Sequence, residues 1–204
     1  MNKRKKALLL GMILGDAYLQ KTGSRNARIR LEHSEKQKEY LLWKGLQFPE
    51  FFQGKPKRIV RFNPVYKKEY TYLRWQSNAS PEIGLFRRKF YQEGKKIIPK
   101  DLSQSLTEPL SLAVWFMDDG YYYHRDKIAY IYIPNFSGEE AGILLKVLKD
   151  NFLLEAKLKM KKRGNLVLVF SVHETQKLMN LIKPYIIPAM SYKISSSDPL
   201  STEE

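Results

Sequence analysis

The sequence predicts an α+β fold made by duplication: a unit of helix, two strands, helix, two strands, helix occurs twice within 204 residues. Three observations predict it. An apolar run ending in an acid and a small residue appears as Leu9-Leu10-Gly11-Met12-Ile13-Leu14-Gly15-Asp16-Ala17, and again as Leu112-Ala113-Val114-Trp115-Phe116-Met117-Asp118-Asp119-Gly120. The two terminal acids, Asp16 and Asp119, stand about half a chain apart. Ser34 and Ser137 follow those acids at equal intervals, and each opens a Ser-x-x-Glu/Gln capping box, so a whole unit repeats rather than a motif.

Taken in order, residues 3 to 17 form the first helix, although its opening Lys3-Arg4-Lys5-Lys6 opposes the helix dipole, which favours acids there. Ala27 to His33 alternates apolar and polar residues as a half-buried strand whose polar face presents Arg28, Arg30 and Glu32. Ser34 starts a helix carrying Tyr40, Leu41, Trp43 and Leu46 at helical spacing. Two strands follow, Lys57 to Phe62 and Glu69 to Gln76, joined around Asn63-Pro64, with Tyr70, Tyr72, Arg74 and Gln76 on one face of the second. A helix from Ser80, with Pro81 in its first turn, runs to Gly94.

Residues 95 to 106 make the boundary between halves, because Ile98-Pro99 interrupts regular structure just before the second apolar run. Thr107 is the expected N-cap of that run, with Pro109 in its first turn. The order then repeats: Tyr121 to Arg125, a strand Lys127 to Ile133, and a helix from Ser137 through Leu144, Leu145, Leu148 and Phe152. Strands Glu155 to Met160 and Asn165 to Val172 flank the basic turn Lys161-Lys162-Arg163-Gly164. A last helix runs from His173 to Ile182, and a disordered tail is expected after Ser195.

Lys and Arg number 36 against 21 Asp and Glu, a net charge of +15, which makes a polyanion the expected partner; a generically basic soluble protein is the alternative. The absence of cysteine excludes disulfides, Cys-ligated zinc and thiol nucleophiles. The basic start followed by Ala7 to Leu14 resembles a signal peptide, but the same run recurs at 112 to 117, and neither approaches the ~18 apolar residues of a membrane span. An intracellular protein without a membrane partner is expected.

An acid ending an apolar helix is costly to bury unless a cation meets it, and two such acids brought together repel. A divalent cation answers both problems, and paired carboxylates suit Mg²⁺. Beside a basic chain this points to metal-assisted phosphodiester chemistry; the alternative is that Asp16 and Asp119 merely terminate their helices. His33, His124 and His173 lack the spacing of a zinc site and read as surface or strand residues. Gly11-x-x-x-Gly15 lies inside a helix and serves close helix contact rather than phosphate binding. Strand faces offer Arg28, Arg30, Lys57, Arg61, Tyr72 and Arg74 in the first half and Lys157, Lys159 and Lys161 in the second as candidate DNA contacts. Ordinary solvated sheet faces are the alternative.

The two acid-ended runs resemble the motif that names the LAGLIDADG homing endonucleases, in the form that carries both copies in one polypeptide. Pro109 to Gly120, with Leu181-Ile182-Lys183-Pro184-Tyr185-Ile186-Ile187-Pro188 and Met190-Ser191-Tyr192-Lys193, is similar to the branch containing mitochondrial intron endonucleases. The resemblance covers nearly the whole chain. It implies two pseudo-symmetric αββαββα units, 1–100 and 101–195, with residues 196–204 a tail. Their antiparallel sheets would form a saddle over duplex DNA, with the two motif helices packed together at the centre.

The resemblance also implies a site. Asp16 and Asp119 would bind metal through their carboxylates, and Gly15 and Asp118 through their backbone carbonyls. Lys96 and Lys193, from matching Lys-Ile pairs at similar but unequal offsets from the acids, would lie near the scissile phosphates. The copies differ at the third motif position, Gly11 against Val114, and Ala17 stands where the motif usually ends in glycine. The implied activity is a Mg²⁺-dependent double-strand break, with Mn²⁺ a possible substitute, in a long asymmetric target, leaving 3′ overhangs. A monomer in an organellar or cytoplasmic compartment is implied. The rivals are an intron maturase that binds intron RNA and a non-cleaving DNA-binding protein.

Overall fold

Helix α1 (Lys3–Leu14) starts where the Asn2 side chain accepts from the Lys5 amide at 2.9 Å, a cap that offsets the unfavourable run of cations. It ends at Gly15, whose ψ of −133° leaves helical backbone, so Asp16 and Ala17 lie beyond the helix rather than within it as expected. The computed structural model describes residues 1–133, 136–161 and 164–194; Lys162, Arg163 and the expected tail lie outside them.

The described chain forms two compact units: residues 16–89 with Met1, and residues 2–15 with 90 onward. In the first, strands β1 (Tyr18–Lys21), β2 (Ala27–Ser34), β3 (Lys57–Asn63) and β4 (Lys68–Gln76) make an antiparallel sheet ordered β1-β2-β4-β3. β1 has no counterpart among the strands singled out in sequence; four residues are too short to display periodicity. Helices α2 (Lys38–Leu46) and α3 (Pro81–Phe90) complete the unit. Leu19, Ile29, Leu31, Leu73 and Trp75 are buried positions of the strands, and α2, which buries Tyr40 and Leu41, packs against β2 and β4.

Two expectations in this region are corrected. Ser34 opens no capping box: it ends β2, opposite Tyr72, its side chain caps nothing, and a single 3₁₀ turn separates it from α2. Its intended partner Gln37 lies instead within 3.3 Å of His33 Nδ1. α3 stops at Phe90, short of Gly94. Glu93 and Gly94 adopt positive φ of 49° and 82° and turn the chain into a hairpin of β5 (Tyr91–Gln92) and β6 (Lys95–Lys96).

The second unit holds α1 with α4 (Pro109–Asp119), β7 (Gly120–Tyr123), β8 (Ile128–Tyr132), α5 (Gly138–Phe152), β9 (Ala156–Met160), β10 (Leu166–Phe170) and α6 (Val172–Ile182). Its antiparallel sheet, ordered β7-β8-β10-β9, repeats the topology of the first. Glu108, not Thr107, is the N-cap of α4 and gives no side-chain cap; Pro109 takes the first turn as expected. The Ser137 box does form, with Ser137 Oγ accepting from Glu140 N at 3.2 Å and Glu140 Oε2 accepting from Ser137 N at 2.7 Å. The other oxygen of Glu140 accepts from the Ile98 amide at 2.9 Å and so ties down the segment after β6.

α1 and α4 pack closely because Gly11 allows it. A Cβ there would lie 2.4 Å from the Ser111 carbonyl oxygen and 2.8 Å from Val114 Cβ. The Ser111 hydroxyl donates to the Ala7 carbonyl at 2.8 Å across the buried seam. The helix-contact reading of Gly11 and Gly15 is therefore met, as is the asymmetry anticipated from Val114. No helix among the described residues is long and apolar enough to cross a membrane.

Candidate active site and nucleic-acid interface

In the second unit the ends of α1 and α4 lie side by side: a Cβ on Gly15 would sit 2.3 Å from Asp118 Oδ2. Lys96 Nζ donates to the Gly15 carbonyl at 2.7 Å. Lys193 Nζ donates to the Gly120 carbonyl at 2.9 Å and to the Asp118 carbonyl at 3.4 Å. Each lysine therefore meets the carbonyl of the same motif position in its own copy. The unequal offsets are absorbed by different local structures, the β5–β6 hairpin at Lys96 and a 3₁₀ turn, Pro188–Lys193, at Lys193. Asp118 and Asp119 are half-buried at the end of α4.

In the first unit Asp16 is exposed just before β1 and borders a concavity of about 460 Å³. Tyr18, Arg30, Glu32, His33, Ser34, Gln37, Arg61 and Tyr72 also line it. Strand register explains the grouping. Arg30 pairs with Tyr18 and Gln76, Glu32 with Arg74, and Lys57 with Arg74, so Arg28, Arg30, Lys57, Arg61, Tyr72 and Arg74 share one face, as their selection required. Arg30 stacks over the Tyr18 ring at 4.6 Å and Arg61 over Tyr72 at 5.0 Å, which holds the guanidinium groups in place.

Glu32 has a role that composition alone did not reveal. It pairs with Arg61 at 2.6 Å and Arg74 at 2.7 Å. Burial pushes its carboxyl up, but the Arg74 hydrogen bond and the charges of Arg74 and Arg61 outweigh that and hold it below its ordinary value. His33 is a strand residue as expected, yet 4% exposed, with Nδ1 4.0 Å from Asp16 Oδ2. The alternation of β2 marks this burial, since His33 falls in step with Ala27, Ile29 and Leu31 on the apolar face.

The second sheet presents Lys157 and Lys159 on the face that carries Tyr121, Tyr123, Tyr130 and Tyr132. Lys161 extends it, with its ammonium 4.5 Å from the Tyr130 ring centroid. These tyrosines were not singled out in sequence: Tyr130 and Tyr132 alternate in β8, but the unbroken run Tyr121-Tyr122-Tyr123 in β7 does not show which face each takes. Leu158 and Met160, which alternate with the lysines, are themselves 36% and 72% exposed, because β9 is the edge strand.

Basic strand faces interleaved with tyrosine, and acids grouped at helix ends beside lysines, are the equipment of an enzyme that acts on nucleic acid. The chain belongs to the LAGLIDADG DNA endonuclease family, whose model matches residues 6–178, and it is a DNA endonuclease of the homing type. It is 32% identical over 201 residues to a probable intron-encoded endonuclease 1 of Wickerhamomyces canadensis, covering 95% of this chain and 85% of that protein. A cytochrome b mRNA maturase bI2 of Debaryomyces hansenii is 26% identical over 203 residues, covering 96% of this chain and 75% of that protein. A Protein RecA of Mycolicibacterium flavescens is 32% identical over 207 residues, and there the chain spans 45% of the relative's length.

Among solved structures, the homing endonuclease I-WcaI bound to its DNA recognition sequence superposes with a TM-score of 0.87 at 28% identity, covering 95% of this chain and 87% of that one. A single-substitution form of I-DmoI, in complex with its target DNA in the presence of Mg, shares the fold, with a TM-score of 0.52 at 15% identity over 89% of this chain and 96% of that one.

Proposed function

We propose that the protein makes a site-specific double-strand break in a long asymmetric duplex, using divalent ions held by the carboxylates of Asp16 and Asp119 and the carbonyls of Gly15 and Asp118. The observation that carries this reading is the matched placement of Lys96 and Lys193, each donating to the carbonyl at the seventh position of its own motif. Carbonyl and carboxylate oxygens are the donors a hard cation takes, and at Gly15 and Asp118 a lysine ammonium holds the place that a metal ion would share or displace. Mg²⁺ is the ion proposed, with Mn²⁺ as a substitute; when bound it supplies Lewis-acid stabilisation of the phosphate and an activated water.

The chain's own groups divide the remaining work. Lys96 and Lys193 hold ammonium groups beside the motif ends, where they offset negative charge that develops on a scissile phosphate. Arg28, Arg30, Lys57, Arg61, Tyr72 and Arg74 track the duplex from one sheet, and Lys157, Lys159 and Lys161 from the other. Direct contacts to phosphate set the register, and contacts to base edges select the target. Short 3′ overhangs, a monomeric enzyme, an organellar site of action and two repeated units meeting near residues 95–106 belong to the same reading.

Cleavage of a plasmid carrying the natural insertion site tests it. Asp16→Asn and Asp119→Asn are each expected to bind the target and to lose double-strand cleavage in Mg²⁺. Parental cleavage by the double variant would overturn the assignment. A second reading, assistance to intron RNA splicing, is favoured by the similarity to the Debaryomyces hansenii maturase. Splicing that persists in the double Asp variant would establish it as a separate activity.

A further inference from the structure

Among the described residues Glu32 is the one acid on the strand face that carries Arg28, Arg30, Lys57, Arg61, Tyr72 and Arg74. A carboxylate there repels phosphate, and ion pairs this exposed add little to stability. Neither consideration favours an acid at this place. One of its oxygens meets the Arg61 guanidinium at 2.6 Å, and the other meets Arg74 Nε at 2.7 Å. Arg74 is its direct partner across β2 and β4. Arg61 stands one strand further out, on β3, and reaches it over the Tyr72 ring, 5.0 Å from the centroid.

The carboxylate side chain is 21% exposed, against 29% for Arg74 and 48% for Arg61. The acid is therefore the most covered of the three, and the two forks are what a ligand meets first. A guanidinium carries five N–H donors, so one bond to Glu32 leaves each arginine enough for a paired acceptor. Guanine presents such a pair, O6 and N7, in the major groove, whereas a phosphate is served by any cation that reaches it. An arginine free to swing finds phosphate wherever the duplex lies. One pinned by an acid keeps its direction and gives up part of its attraction to phosphate.

We propose that Glu32 is a positioning residue for target selection: it holds the Arg61 and Arg74 forks for two guanines of the target and lowers their attraction to phosphate. The proposal rests on the reading of this sheet face as a duplex-contacting surface, and it deepens that reading by assigning the base that two of its cations select. The acid acts through the arginines and touches no base. Specificity is a difference of affinities, so a group that weakens every wrong duplex while the right one is still served raises it.

Equilibrium competition in Ca²⁺, so that no strand is cut, tests it with the natural insertion-site duplex against each of its single-base-pair variants. Arg61→Lys and Arg74→Lys keep the charge and lose the fork. Each is expected to flatten the preference at one G·C pair by about 5- to 150-fold and to leave the other positions as in the parent. Glu32→Gln is expected to weaken the preference at the same two pairs while raising affinity for a duplex of unrelated sequence. A merely structural role for Glu32 lowers affinity equally at every position. That uniform loss, or a Glu32→Gln profile identical to the parent's, overturns the proposal. So do changes confined to A·T pairs, and so does an effect of Glu32→Gln at a pair that neither lysine variant touches, which makes the acid a direct reader. If neither lysine variant alters the profile at any position, these arginines read no base, and it is the underlying reading of the sheet face that fails.

Discussion

Glu32 is an acid set among arginines, and its two ion pairs set how much net positive charge that face of the first sheet carries. Because Arg74 and Arg61 hold its carboxyl below the ordinary value against the upward push of burial, folding is favoured by its ionised form. A carboxyl depressed on folding contributes stability above its unfolded-state pKa and loses it as pH falls through the folded one. Glu32 keeps 21% of its side chain exposed, so the contribution is about 1 kcal/mol at most. Glu32→Gln is expected to melt below the parent at neutral pH, with the gap closing as acid protonates the parent's carboxyl; thermal melts across that range check it. The same change frees Arg61 and Arg74, so binding to non-specific duplex should tighten and its salt slope steepen. An unchanged slope would remove these arginines from the phosphate path. The matched contacts of Lys96 with Gly15 and of Lys193 with Asp118 were legible in sequence because all four stand at corresponding places of a repeated motif. The Glu32 pairs and the His33–Lys44 contact were not, since both depend on strand register and on which strand face meets a helix.

At the scale of elements, two capping boxes that look alike in sequence behave differently. Ser137 sits in a loop with its Oγ free to accept from Glu140 N, whereas Ser34 is held in β2 by its pairing with Tyr72 and has no cap to give. Ser137→Ala should cost about 1 kcal/mol of stability, and Ser34→Ala should lose nothing through capping, which urea denaturation of the two variants will separate. The repeat was legible because the interval from acid to serine is preserved. The function of the serine was not, because a tertiary strand pairing overrode the local signal. Gly11 was the reverse case: its spacing announced a close helix contact, and the Ser111 carbonyl fills that role. A methyl group at Gly11 has no space, so Gly11→Ala should destabilise by about 1–3 kcal/mol as α1 and α4 are forced apart. Gly23, whose added Cβ would meet nothing within 4 Å, provides the control.

At the scale of the molecule, a net charge of +15 sets how the protein finds and holds a duplex. The charge is not spread at random, since each unit turns one strand face into a row of cations stiffened by tyrosine rings. Each cation that neutralises a phosphate releases a counterion, so the logarithm of affinity falls linearly with the logarithm of salt concentration. With about 6–10 phosphate contacts, affinity should drop roughly 10³- to 10⁵-fold between about 50 and 200 mM salt. Fluorescence anisotropy with a labelled target, in Ca²⁺ or without metal so that no strand is cut, measures this slope. Replacing Lys157 and Lys159 together by Gln should reduce the slope by about 2, one for each lost contact. Asp16→Asn removes a negative charge without touching a cation, so it should leave the slope unchanged and affinity equal or higher while abolishing cleavage. The two variants therefore pull apart: one weakens binding and its salt dependence together, and the other loses chemistry alone. If Asp16→Asn instead weakened binding and flattened the slope as the lysine pair does, binding and catalysis would not be carried by separate groups. The division between cationic strand faces and acid-ended helices would then fail.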